Sequence, residues 1–283
     1  MNTRTTDTDP AYDPDPSLTF WGAAASVSGS MHLIEANGRQ LLLDCGLYQG
    51  RREEARRRNS HFPFHPEDLD GVVISHAHID HCGNLPTLVR AGYRGPVYVT
   101  PPTHDLLKVM LNDSAKIQEE DAGHINIARN YAEPLVQPLY TFADVERAFR
   151  QLVTVPYGKE MDTGNGVRFR FIEAGHVLGS AAVHVRMDGP DRTRTLTFTG
   201  DLGRRGVPLL KPADDIPPAD LLVCESTYGN RQHVPLDATI EKLYATVNET
   251  MARGGKALIP AFSLGRTQLI IHFLQVGMRT GKI

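Results

Sequence analysis

Only three cysteines, Cys45, Cys82 and Cys224, occur in the 283 residues, an odd number with no Cys-x-x-Cys pair. Nothing therefore suggests a disulfide framework or a cysteine-built structural zinc site, and each thiol reads as a small buried hydrophobe. Long apolar runs are also missing: no stretch reaches eighteen apolar residues, so no membrane-spanning helix is expected. The N-terminus carries Thr, Asp and Pro where a secretory leader would place a basic start and an apolar core, which points to the cytoplasm. Positive charge is not in excess, since 30 Lys and Arg stand against 33 Asp and Glu, a net charge of −3. The chain as a whole offers no attraction to a polyanion, and any such surface has to be a local patch. No internal repeat is found.

What is present is ordinary globular composition, 41% hydrophobic and 22% charged, in a length that suits one large domain or one domain with the start of a second. Residues 1–17 are polar, proline-punctuated and without periodicity, and read as a disordered tail. From Leu18 a first domain is expected to run to residue 227. Short β-type runs at 18–25, 31–36 and 40–44, separated by Ser28, Gly29, Asn37 and Gly38, predict an antiparallel meander. A buried-type strand at 71–75 leads into a histidine-rich loop, and helical spacing follows at 83–90. A strand at 97–100 and a long helix at 103–131 come next, with Leu106, Leu107, Met110 and Leu111 marking its apolar face. Further strands are expected at 152–156, 167–172, 181–186, 195–199 and 221–224. Two groups of strands flanked by helices predict a layered α/β sandwich.

The pattern changes after Tyr228. Ile240, Leu243, Tyr244, Val247 and Met251 recur at helical spacing, Gly254 and Gly255 end that helix, and 256–262 reads as a continuous strand. A second helix is expected from 263 to 279 with Ser263 as its N-cap. Helix, strand and helix in that order predict a parallel α/β unit, so residues 228–283 are read as the start of a second domain.

The residues that carry chemistry are concentrated in His76-Ala77-His78-Ile79-Asp80-His81. Imidazole nitrogens and carboxylates are the donors that zinc prefers, and a loop lets four side chains converge where a regular helix would splay them around its axis. So many donors in so short a loop can feed two adjacent cations. His176, in Gly175-His176-Val177-Leu178-Gly179-Ser180, and Asp201, in Thr199-Gly200-Asp201-Leu202-Gly203, stand at predicted strand ends. The glycines beside them permit tight turns and close backbone approach, and His176 and Asp201, taken singly, are each read as a structural residue or as a ligand. Asp44, in Leu43-Asp44-Cys45-Gly46, is read either as part of this group or as a turn-capping aspartate.

Asp44, His76-x-His78-x-Asp80-His81, His176 and Asp201, in this order and of these types, resemble the motifs of the metallo-β-lactamase superfamily. Glu225-Ser226-Thr227-Tyr228-Gly229 and Pro260-Ala261-Phe262-x-x-Gly265-Arg266 resemble the entry to the extra domain of its β-CASP branch. That branch includes the pre-mRNA 3'-end processing endonuclease, ribonuclease J and DNA crosslink-repair nucleases, and the runs in this chain are similar to those of its RNA-processing members. The resemblance implies an α/β fold, an αββα sandwich with the beginning of an inserted β-CASP α/β domain. It also implies a metal-dependent phosphodiesterase, an endoribonuclease, a 5' exoribonuclease or both, that cleaves RNA by attack of a dizinc-bound hydroxide.

By that resemblance His76, His78 and His176 hold one Zn2+, and Asp80, His81 and a bridging Asp201 hold the other, with Mn2+ as the alternative metal. Asp44 orients the ligand loop by hydrogen bonds. Asp80 orients the attacking group or takes its proton, and Glu225 is the acidic residue at the edge of the site. The histidine that partners Glu225 and a further histidine ligand lie beyond position 283 in relatives, so the chain is expected to stop short of the end of the second domain. RNA is the expected partner, with a homodimer or an RNA-processing complex as the assembly.

Weaker signals are His233, which could touch a phosphate or be a plain exposed loop histidine, and Ser263 with Arg266, where a helix N-terminus could bind phosphate. Arg51, Arg52, Arg56, Arg57 and Arg58, interrupted by Glu53 and Glu54, are read as a solvated face with internal ion pairs, or as a guide for RNA. Two other functions compete: hydrolysis of a small thioester, lactone or β-lactam, and a non-catalytic scaffold subunit in RNA processing.

Overall fold

Alternation of side chains along short strands builds two facing sheets in a computed structural model that describes residues 15–283. The first sheet takes β1 (Ser17–Gly22), β2 (Met31–Ala36), β3 (Arg39–Leu43), β4 (Gly71–Val73), β5 (Val97–Val99) and β6 (Leu152–Thr154) in that spatial order. Its first three strands are an antiparallel meander, and β3 to β6 run parallel. The second sheet takes β7 (Met161–Gly164), β8 (Val167–Glu173), β9 (Ala181–Met187), β10 (Arg194–Phe198) and β11 (Leu221–Val223), with β7 and β11 at its edges. Only the β10–β11 pair in it is parallel.

The two-residue period explains where each core lies. Leu41 and Leu43 of β3, Ile34 of β2 and Val73 of β4 point between the sheets, where they meet Phe169, Phe171, Val183, Val185 and Phe198. The alternate residues Leu33, Leu42, Val72 and Val97 point the other way, onto a helical layer. The first sheet is thus apolar on both faces, as a mainly parallel sheet has to be. Full burial of each such Leu or Val stabilises the fold by about 1.5–3 kcal/mol relative to exposure.

The helical layer consists of α2 (Ile79–Cys82), α3 (Leu85–Arg90), α4 (Pro101–Ala128) and α5 (Phe142–Phe149), preceded in the chain by α1 (Arg52–Ser60). Thr100 caps α4 by accepting the Thr103 N–H at 3.3 Å, and Pro101 and Pro102 follow where their missing N–H groups cost nothing. Leu107, Leu111 and Ala115 then form its buried stripe. The last two helices are α6 (Leu236–Ala252) and α7 (Arg266–Arg279), joined by the Tyr244 hydroxyl, which donates to the Phe273 carbonyl at 2.9 Å.

The layered α/β sandwich is therefore the one predicted, with corrections in detail. Residues 256–262 form no strand: Leu258 is 96% exposed, and no strand lies beside the segment among the described residues. An apolar run becomes a strand only when a neighbour takes up its backbone groups. Ser263 is not the N-cap of α7; that place belongs to Gly265, whose N–H is accepted by Gln268 Oε1 at 2.7 Å. Cys224 is exposed, because it follows the open edge strand β11, whereas Cys45 and Cys82 are buried as expected. Helix α5 and strand β7 were not anticipated. Of the predicted disordered tail, residues 1–14 lie outside the described residues; Asp15 pairs with Arg194 at 2.8 Å and Ser17 opens β1.

What matters for function is where the strands end. β3, β4, β8, β10 and β11 deliver Asp44, Ser75, His176, Asp201 and Glu225 respectively, all within a few residues of the strand C-termini and all toward one rim of the sandwich. Clefts beyond strand C-termini are where open α/β sheets place ligands.

Candidate metal centre

His76 and His78 follow β4 in an extended loop, and His78 then becomes the N-cap of the short helix α2, which carries Asp80 and His81. The loop after β3 runs alongside and fixes this turn: Cys45 N–H donates to the His81 carbonyl at 2.9 Å and Leu47 N–H to the Ile79 carbonyl at 2.9 Å. From the second sheet, the His176 N–H donates to Ser180 Oγ at 2.9 Å, and the Ala181 N–H donates to the Ser75 carbonyl at 2.9 Å. The His176 loop is thereby joined to the histidine loop of the first sheet.

Four side chains meet at the rim. His76 Nε2 lies 3.1 Å from His78 Nδ1, and His176 Nε2 lies 3.2 Å from the same atom. Asp201 Oδ2 stands 3.3 Å from His176 Nε2 and 4.0 Å from His76 Nε2. One donor atom from each of the four falls within 4.8 Å of all the others. The second oxygen of Asp201, Oδ1, faces His81 Nε2 at 3.3 Å, and Asp80 Oδ2 is 3.8 Å from that nitrogen. Asp201 therefore presents one oxygen to each of two neighbouring groups.

The electrostatics separate these groups. Burial pushes His76 well below the ordinary histidine value, and the neighbouring His81, His78 and His176 push it further. His78 is also lowered by burial, and burial takes His176 down to about 4 in spite of Asp201. His81 behaves oppositely: burial alone would lower it, but the Asp44 and Asp201 carboxylates outweigh that and hold it well above the ordinary value. Burial would raise Asp201, yet the His81 hydrogen bond and the surrounding imidazoles lower it.

These residues fit a divalent cation. Each neutral imidazole carries one bare nitrogen. Three ring nitrogens that crowd together while burial disfavours their protonation, joined by a carboxylate, are a donor set that matches zinc-type coordination. Among the described residues, this is the group of His and Asp side chains arranged to hold a metal ion.

Asp44 is fully buried and sits at φ 60, a left-handed conformation that Asp tolerates better than most residues. That turn aims its carboxylate back at the ligand loop. Oδ1 accepts the Ser75 N–H at 2.7 Å; Oδ2 accepts from His81 Nδ1 at 2.7 Å and from the Ser75 and Ser30 hydroxyls at 3.0 Å each. Asp44 thus belongs to the group instead of merely capping a turn. Sequence reasoning missed Ser30 and Ser75; His32, which reads from the sequence as a structural strand histidine, has Nε2 3.4 Å from Ser30 Oγ and packs its ring edge-on against Phe20 and Phe198. Serines are too common for their type alone to mark them.

Glu225 Oε1 accepts the Leu202 N–H and Oε2 the Thr227 N–H, both at 3.2 Å. The carboxylate shares a cavity of about 490 Å3 with His32, His81 and Asp201. On the other side of the ligands a second cavity of about 550 Å3 is walled by His78, His176, Val177, Phe262 and Arg266. Arg266 is thus brought to the site, whereas His233 packs against the Tyr228 ring, centroids 4.8 Å apart, in an exposed segment. Ser263 offers its carbonyl to Gln268 Nε2 at 2.8 Å. In the arginine cluster, Arg58 pairs with Glu54 at 2.7 Å and lies over the Tyr48 ring, and Arg56 donates to the Gln137 carbonyl at 3.0 Å. Those partners favour the solvated face with internal pairs.

The sequence profile of the metallo-beta-lactamase superfamily matches residues 26–260. The chain is 41% identical over 255 residues to ribonuclease TTHA0252 of Thermus thermophilus, a match covering 90% of the chain and 53% of that protein. It is 33% identical over 267 residues to the transcription termination factor FttA of Methanocaldococcus jannaschii, covering 93% of the chain and 40% of that protein. The FttA of Methanothermobacter thermautotrophicus is 36% identical, with 97% and 42% covered. The chain spans about half the length, or less, of these curated relatives. Residue types, converging geometry and the match over residues 26–260 agree: the chain belongs to the metallo-β-lactamase superfamily.

Proposed function

We propose that this chain carries the centre of a metal-dependent phosphodiesterase that cleaves RNA in the cytoplasm, with residues 18–227 as the hydrolytic domain and residues 228–283 as the first part of a β-CASP domain. The observation that carries the reading is the convergence of His76, His78, His176 and Asp201 from the ends of three strands in two different sheets. The names of the relatives, a ribonuclease and transcription termination factors, support RNA as the substrate class.

In this reading His76, His78 and His176 hold one Zn2+, and Asp80 and His81 hold a second, with Asp201 shared between them. When bound, two such cations lower the pKa of a water toward about 7 and neutralise charge that develops on a phosphate. Asp80 Oδ2 points toward the same space as His81 Nε2 and is the oxygen placed to orient the attacking water and accept its proton. Glu225, held by two backbone N–H groups, lines the 490 Å3 cavity with His81 and Asp201, and in this reading it is the acidic residue at the edge of the site.

Substrate contacts are proposed on the other flank. Arg266 is exposed, makes no ion pair among the described residues, and lines the 550 Å3 cavity beside His78 and His176, so its guanidinium is free for a phosphate. Phe262, 71% exposed, offers a ring on which a base can stack.

The test is incubation of the purified protein with labelled RNA, labelled DNA and a chromogenic β-lactam, each with and without chelator. RNA cleavage that chelation abolishes and zinc restores is the expected result. Hydrolysis of the lactam alone, or RNA binding without cleavage by metal-loaded protein, overturns the proposal, and elemental analysis decides between zinc and manganese.

A further inference from the structure

Two of the candidate imidazoles reach the same carboxylate by different routes. His81 Nδ1 touches Asp44 Oδ2 directly at 2.7 Å. His76 Nδ1 reaches it through one hydroxyl: it is 3.0 Å from Ser75 Oγ, which is 3.0 Å from Asp44 Oδ2. Ser75 is fully buried, so its side chain has no solvent alternative. Its position is also enforced from the second sheet. Gly200 sits at φ +53, and a β-carbon there would come within 2.8 Å of Ser75 Cβ and 3.0 Å of Ser75 Oγ. Only a residue without a side chain leaves the hydroxyl in place.

We propose that Ser75 is a positioning residue that fixes the His76 imidazole with its proton on Nδ1 and its bare Nε2 turned toward the centre. A serine hydroxyl has one proton and two lone pairs. Two acceptors compete for that proton, Asp44 Oδ2 and a bare His76 Nδ1, at equal distance. A carboxylate is the stronger acceptor, since hydrogen bonds to an ionised oxygen are roughly twice as strong as neutral ones. The hydroxyl proton therefore goes to Asp44, and what Ser75 offers His76 is a lone pair. In a buried site a lone pair facing a bare nitrogen is an unsatisfied repulsive contact, so Nδ1 carries the hydrogen. Nε2 is left bare, 3.1 Å from His78 Nδ1 and 4.0 Å from Asp201 Oδ2.

One carboxylate thus sets the tautomer of an imidazole in each of the two ligand groups, His81 by contact and His76 by relay. The metal consequence rests on the centre proposed above; the tautomer itself does not. Deletion of the hydroxyl frees His76 to exchange tautomers and leaves His81 fixed, so the loss falls on the His76 group. Lost outer partners of this kind typically weaken metal binding by about 10–100-fold.

The experiment is long-range 1H–15N correlation spectroscopy of the histidine rings in the wild-type protein and in Ser75→Ala and Ser75→Thr, with zinc titration of each. In wild-type protein His76 is expected to show a protonated Nδ1 and a bare Nε2. Ser75→Ala is expected to mix the two His76 forms, keep the His81 pattern and bind zinc about 10–100-fold more weakly, while Ser75→Thr, which keeps the hydroxyl, stays near wild type. A wild-type His76 protonated on Nε2 overturns the inference, and that measurement needs neither a variant nor a metal. A Ser75→Ala protein with unchanged His76 tautomer and unchanged zinc affinity also overturns it. Should wild-type protein take up no metal, the metal-centre reading fails while the tautomer result still stands or falls alone.

Discussion

Gly203 and Gly175 lie so close that a β-carbon on Gly203 would stand 1.7 Å from the Gly175 carbonyl oxygen. The contact locks the Asp201 loop onto the His176 loop, and the Gly203 N–H donates to the Ala174 carbonyl at 2.9 Å beside it. Gly203→Ala has to separate these backbones, which moves Asp201 away from His176. The expected outcome is a lower melting temperature together with zinc affinity reduced by more than about tenfold. Calorimetric titration of the variant checks this, and wild-type affinity would show that the loops have slack.

Proton accounting should differ between the two ligand groups. His76, His78 and His176 are all lowered, so at neutral pH they are already bare and a cation displaces nothing from them. His81 is raised by Asp44 and Asp201 despite its burial, so it keeps a proton on Nε2 in the metal-free protein, and a cation bound there has to displace it. Because the folded value is raised, competition sets in as pH falls through a point above the ordinary histidine range. Below the pH at which a cation-bound water ionises, the first equivalent of zinc is expected to release almost no protons and the second about one. Titrations in buffers of different ionisation enthalpy measure this, and equal release for both equivalents contradicts the assignment.

On the substrate side, Phe262→Ala is expected to weaken RNA binding by about 1–3 kcal/mol, the usual worth of one stacked base. Arg266→Ala should weaken it with a smaller dependence on salt, since one phosphate contact is lost. Both variants should keep wild-type zinc affinity. Binding isotherms at several salt concentrations distinguish the two residues, and an Arg266→Ala protein with an unchanged salt slope removes Arg266 from the phosphate contacts.

A stability prediction comes from α5. Asp144 Oδ2 accepts the Thr141 N–H and the Thr141 hydroxyl, each at 2.9 Å, and Asp144 pairs with Arg147. Burial would raise this carboxyl, but the Thr141 N–H and Arg147 outweigh it and lower the pKa. A lowered carboxyl contributes stability above its unfolded value, and that contribution is lost as pH falls through the folded one. Asp144→Ala is expected to cost about 1 kcal/mol at neutral pH and progressively less in acid. Denaturant melts at several pH values test the trend; a constant difference would show that the cap is not electrostatic.

Some of this was legible in the sequence and some was not, for physical reasons. His76, His78, Asp80 and His81 stand out because four donors in six residues are rare. His176 and Asp201, each open to a structural reading when taken singly, were recognisable through the resemblance of the whole series to the metallo-β-lactamase motifs. Ser75 and Ser30 carry no such mark: their role comes from a carboxylate 31 and 14 residues away, which only the folded chain brings near. Helix α5 was overlooked although Thr141 and Asp144 stand at capping-box spacing and its eight residues are amphipathic, since so few residues span only about two turns. The run at 256–262 is apolar like a strand but carries Pro260, and strand formation belongs to the neighbour as much as to the segment.

The origin of the ligands has a mechanical consequence. His76 and His78 hang from the first sheet and His176 and Asp201 from the second, and between the sheets the core is mainly side-chain packing, with the Ala181 N–H to Ser75 carbonyl bond as a backbone link at that rim. An ion gripped by all four would act as a rivet through both sheets, resisting their separation in a way that no dispersion contact does. Stability should then rise with the logarithm of free zinc, so that the ions proposed for hydrolysis would also set the temperature at which the fold gives way.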